Sequence, residues 1–63
     1  MERRKSYTFD QVTEIGRKEF NLPDNWYCFM GKVEGDRLRY GLSPVDKNGR
    51  YMDEEIYGYL PLV

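Results

Sequence analysis

Alternation of apolar and polar positions is clearest in the middle of the chain. In "FMGKVEGDRLRYGL", Phe29 to Leu42, one set of alternate positions is apolar and the other carries Met30, Lys32, Arg37 and Arg39. A period of two belongs to a strand with one buried face. Gly35-Asp36, at the centre, is a Gly-X pair suited to the first central position of a type II′ turn, so the stretch predicts a two-residue hairpin. The register follows from the turn: Glu34 faces Arg37, Val33 faces Leu38, Lys32 faces Arg39, Gly31 faces Tyr40, Met30 faces Gly41 and Phe29 faces Leu42. One side then holds Tyr27, Phe29, Gly31, Val33, Leu38, Tyr40 and Leu42, with the Tyr40 ring lying across Gly31. The other side holds Trp26, Cys28, Met30, Lys32, Glu34, Arg37, Arg39, Gly41 and Ser43, charged at the hairpin and apolar at the far end. One more residue in the loop would invert every assignment.

Upstream the period changes. Phe9, Val12, Ile15 with Gly16, and Phe20 recur at a near-helical spacing, while Asp10, Glu14, Arg17 and Lys18 fall mostly outside that stripe. Thr8 and Gln11 stand at capping-box spacing, and Asn21 and Pro23 stop the pattern. The prediction is a helix from about Phe9 to Phe20, with "NLPDN" reversing the chain. Gly16 weakens that helix by about 1 kcal/mol relative to Ala and offers a place for a sheet to approach closely.

Downstream, Asn48-Gly49 in "DKNGR" is the strongest two-residue signal for a type I′ hairpin, and a strict register from it pairs Val45 with Met52. The same register would set Glu55 opposite Leu42 on the core side. A buried, unpaired carboxylate costs several kcal/mol, so a bulge or short helical turn near Asp53, Glu54 and Glu55 is expected to shift the phase before "IYGYLPLV". Asp53 could cap such a turn, and Pro61 sends the last segment to a sheet edge. The expected fold class is α+β: one N-terminal helix packed on a three-stranded antiparallel β-meander. It forms a single domain over residues 1–63, with 1–6 as a flexible arm.

Composition narrows the picture. With 63 residues, 40% hydrophobic and 16% aromatic, the chain can build one core but sits near the lower limit for folding without staples. Cys28 is the single cysteine, so no intrachain disulfide forms and a reducing compartment, the cytoplasm, is the expected location. "MERRKSYTF" begins like a secretory signal but has no apolar run behind it, and no stretch is long enough to span a bilayer. Residues 1–5 carry net +2 and residues 46–63 net −2, in a chain of net −1; a solvated surface accounts for that asymmetry.

Candidate chemistry is thin. The absence of histidine removes the commonest general base and metal ligand. "DKNGRYMDEE" starts like a calcium loop, but Arg50 stands at the third ligand position, Tyr51 where glycine is needed and Tyr57 where the bidentate glutamate belongs. Cys28 lies mid-strand among aromatics, as a packed thiol does. The glycines form no phosphate cradle. The expectation is therefore a protein that is not an enzyme and that uses no cofactor, no metal and no small-molecule substrate.

Two binding readings remain. A single helix covers one sheet face, leaving Trp26, Met30, Lys32, Arg37, Arg39 and Tyr57, with Val45 and Met52, as a surface for another protein or a second copy of the chain. On this reading the protein is an adaptor or inhibitor of a larger protein, of a size encoded by phages and mobile elements. The competing outcome is that the tail "YLPLV" folds over this face. The alternative function is single-stranded nucleic-acid binding, with Lys32, Arg37 and Arg39 for phosphate and Trp26 for stacking. Against it stand Glu34 in the same patch, a pI of about 5.3, and cations and aromatics that do not interleave in the expected register.

Overall fold

The computed structural model describes residues 5–63. Helix α1 (Phe9–Glu19) is followed by β1 (Trp26–Glu34), β2 (Arg37–Pro44) and β3 (Ile56–Pro61), which form an antiparallel sheet in the order β1-β2-β3. This is the predicted α+β meander. At the start of α1 the Thr8 hydroxyl accepts from the Gln11 N–H and the Gln11 side chain accepts from the Thr8 N–H, so two donors of the first turn are satisfied. At its end Asn21 adopts φ 55°, while the N–H groups of Leu22 and Asn21 donate to the carbonyls of Arg17 and Lys18. That is a Schellman closure with asparagine in the left-handed position.

The first hairpin turns as predicted, with φ +65° at Gly35 and no positive φ at Asp36. Its register matches the expected one from Glu34↔Arg37 through Met30↔Gly41, and then shifts. Phe29 is an extra residue in β1, so Cys28 faces Leu42, Tyr27 faces Ser43 and Trp26 faces Pro44. A bulge of one residue inverts the faces beyond it. Trp26 and Cys28, expected on the outer side, are therefore core residues at 7% and 9% exposure, packed with Val12, Tyr40 and Leu42. Tyr27, expected in the core, is exposed.

The helix is built to receive this inverted end. The outward Cys28 N–H of the edge strand donates to Thr13 Oγ1 (3.0 Å), and the Trp26 carbonyl accepts from Arg17 Nε (2.8 Å). Thr13 is thus buried beside Val12 and Gly16, whereas Phe9 and Phe20, assigned to the apolar stripe by spacing, are exposed. Gly16 lets the sheet approach as anticipated: a Cβ there would overlap the Leu42 side chain and stand 3.2 Å from Tyr40 Cε1. Tyr40 covers Gly58 on β3 rather than Gly31; a Cβ on Gly58 would sit 2.6 Å from Tyr40 Cζ.

The second loop has three residues, not two. Asp46 N–H donates to the Arg50 carbonyl, Gly49 takes φ +80°, and the Asp46 carboxylate accepts from the N–H groups of Asn48 (2.8 Å) and Arg50 (3.0 Å). Val45 consequently pairs with Tyr51 instead of Met52. The chain then leaves the ladder over Asp53 to Glu55, without a helical turn, and rejoins it with Ile56 opposite Leu42. The phase shift that keeps Glu55 out of the core is present.

The C-terminal segment packs on the helix side. Leu62 is buried, its N–H donates to the Asp36 carbonyl, and its own carbonyl accepts from the Lys5 N–H. Tyr7 adds a hydroxyl bond to the Pro61 carbonyl. Leu62 lines a shallow cavity of about 270 Å³ with Tyr7, Val33 and Leu38, so the tail does not cover the other face. The Lys5 N–H is tied to the Leu62 carbonyl, and residues 1–4 of the expected arm lie outside the described residues.

Candidate interaction face

On the side away from α1, the register sets side chains in three rows. Met30, Gly41 and Tyr57 form one, Lys32, Arg39 and Tyr59 the next, and Glu34, Arg37 and Pro61 the third. Of the six strand residues expected on this face, five are therefore together: Met30, Lys32, Arg37, Arg39 and Tyr57. Trp26 is not, because the bulge at Phe29 turns it into the core. Its place is taken by Phe29, expected on the core side and turned outward by the bulge, and by Tyr51 and Tyr59, which the sequence did not assign to this face. Once Ile56 is in phase with Leu42, the alternation Ile56, Gly58, Leu60 leaves Tyr57 and Tyr59 as the outward pair, a signal that was present in the sequence.

Gly41 makes the arrangement sterically feasible. A Cβ at that position would stand 2.8 Å from the Phe29 ring and 2.9 Å from Met30 Cγ, so both side chains of the bulge lie over bare backbone of β2. Phe29 then meets Tyr51 and Tyr57 edge-to-face, with ring centroids 6.1 and 6.0 Å apart. Diagonally across β2 and β3, the Arg39 guanidinium lies over the Tyr57 ring (4.7 Å) and that of Arg37 over Tyr59 (4.2 Å). Such contacts at exposed sites contribute about 0.5–1 kcal/mol each. They also restrict two long cationic side chains to positions over the rings, which lowers the ordering cost of any contact they make.

Where this face runs into the Asp53–Glu55 excursion, Phe29, Ser43, Tyr51, Met52 and Glu55 line a groove of about 190 Å³. Ser43 Oγ lies 3.0 and 2.7 Å from the Met52 and Glu54 carbonyls, pinning the excursion to β2. The Tyr57 hydroxyl donates to Glu55 Oε2, and that bond, lost on ionisation, pushes the phenol above its usual range; desolvation and the Glu55 charge act in the same direction and Arg39 opposes them. Charge is graded along the face, with Lys32, Arg37 and Arg39 outnumbering Glu34 toward the hairpin and Glu55 at the groove.

Beneath the face, the Cys28 thiol points into the core side and donates to the Met30 carbonyl (3.2 Å). Burial pushes its pKa up, more than hydrogen bonds from the Met30 and Gly41 backbone pull it down. Among the described residues no group of three His, Cys, Asp or Glu side chains could hold a metal ion, and no helix is long and apolar enough to cross a membrane. Comparison of the chain with family models, with curated proteins and with solved structures finds no match in any of the three.

Proposed function

We propose that the protein is a non-catalytic binding module, an adaptor or inhibitor that attaches to a larger protein through the uncovered sheet face. The observation that carries this reading is that the helix, Leu62 and the core all lie on one side of the sheet. The other side keeps Met30, Arg37, Arg39, Tyr57 and Tyr59 in a contiguous array. Tyrosine, methionine and arginine are the types enriched where proteins bind one another. An unbridged Cys28 fits a reducing compartment, and the cytoplasm is the proposed location. The test is capture of a partner from lysate by immobilised wild type and by the Met30→Ser, Arg39→Ser, Tyr57→Ser triple variant, with light scattering across a concentration series for self-association. A variant that stays folded and loses its partner supports the reading; a folded variant that captures the same partner equally well contradicts it.

Single-stranded nucleic acid is the second reading, favoured by one observation. Cations and rings do interleave on this face, contrary to the sequence expectation, because Tyr57 and Tyr59 replace Trp26 as the aromatics. Against it, Arg37 and Arg39 already occupy ring faces that bases would need, and Glu34 and Glu55 border them. Titration of a labelled oligothymidylate at low salt decides it, since phosphate contacts give binding that falls steeply with salt.

A further inference from the structure

Building on the reading of this face as a protein site, we propose that its occupant is an extended acidic segment of the partner. One apolar side chain of that segment seats in the groove formed by Phe29, Tyr51 and Met52, and carboxylates farther along it pair with Arg39 and Lys32. The groove is lined by two aromatic rings and a thioether, together with Ser43, which bonds backbone carbonyls, and Glu55, which takes the Tyr57 hydroxyl, so what it accepts is an apolar group.

Charge sets the direction of the segment. Glu55 stands at the groove and Asp53 and Glu54 precede it in the same excursion, so carboxylates are repelled from that end. Lys32 and Arg39 share one row beyond it, and the Arg39 guanidinium lies over the Tyr57 ring, which abuts Phe29 at the groove wall. A guanidinium fixed in this way offers in-plane donors to a carboxylate in bidentate geometry. Spacing follows from the strand. Ser43 and Arg39 are four residues apart on β2, about 13 Å at the rise of an extended chain, so the acid stands about four positions from the apolar anchor.

The experiment uses amide NMR of the full-length protein with short synthetic peptides as probes. The first peptide carries a phenylalanine and, about four positions on, two glutamates; the second has lysines for the glutamates, and the third alanine for the phenylalanine. Oligothymidylate is the fourth probe. The first peptide is expected to shift the amides of Phe29, Ser43, Met52 and Arg39 and to bind about tenfold more tightly than the second and third. R39E, with its spectrum otherwise unchanged, is expected to lose that preference and gain the lysine peptide. Equal binding of the acidic and basic peptides at these amides overturns the acidic occupant while leaving the face a protein site. Shifts from oligothymidylate alone, or concentration-dependent shifts without any probe, overturn both. No shift from any probe at roughly millimolar concentration overturns the inference.

Discussion

On the helix side of the sheet Tyr40 and Leu42 are 1% and 0% exposed, whereas on the other side Tyr57 and Tyr59 retain 41% and 48% of their surface. All four are large residues on neighbouring strands, Tyr40 and Leu42 turned toward α1 and Tyr57 and Tyr59 turned away from it. Burial on the first side comes with close steric commitments: Gly16 against Leu42, Gly58 under Tyr40, Thr13 on the Cys28 amide. On the second side the close approaches are confined to Gly41 under Phe29 and Met30 and to Ser43 against the excursion, and the remaining contacts, ring edge to ring face and guanidinium to ring, join half-buried Phe29 and Arg39, with Arg37, to exposed tyrosines. One face holds the fold together, and the other is arranged but uncommitted.

Substitutions should separate the two faces by size of effect. Leu42→Ala, at a fully buried position, is expected to cost about 2–5 kcal/mol, enough to unfold much of a domain this small when followed by urea denaturation. Trp26→Ser should be comparably damaging; retention of wild-type stability would return Trp26 to the open face and undo the inverted register. Thr13→Val keeps the shape but strands the Cys28 N–H, and about 1–3 kcal/mol should be lost. Smaller still is an alkaline effect. Burial raises the pKa of Cys28 from 9.0 and that of Tyr40 from 10.0, the latter helped by the Glu19 charge. Each contribution is complete below the unfolded pKa and disappears as pH rises through the folded one, so stability should begin to fall above about pH 9. Cys28→Ala should move that onset upward. Tyr59→Ser, on the open face, should change stability by no more than about 0.5–1 kcal/mol; a larger loss would mean that this face is structural.

Much of this architecture is legible in the residues. Thr8 and Gln11 announce the helix, Gly35-Asp36 fixes the first turn, and the cost of burying Glu55 forces the break before β3. The bulge is not legible, and the reason is physical. From Trp26 to Met30 both alternating sets of side chains are apolar, so burial gives no phase, and only Lys32 and Glu34 mark a face. The last five residues of β1, counted back from the hairpin, therefore carry no register information. Thr13 carries no apolar signal and so adds nothing to the helix stripe, yet its hydroxyl is the group that accepts from the outward Cys28 amide of the bulged strand. At the second loop the Asp46 side chain, which gathers the Asn48 and Arg50 amides, outweighed the two-residue preference of Asn48-Gly49.

Hydroxyl-radical footprinting of the isolated protein, read by mass spectrometry at several concentrations, tests the contrast between the faces most directly. The account predicts strong labelling of Tyr51, Tyr57 and Tyr59 at every concentration, with Trp26 and Tyr40 protected. Labelling of Trp26 with protection of Tyr57 and Tyr59 would contradict it, by placing the core on the side left open here.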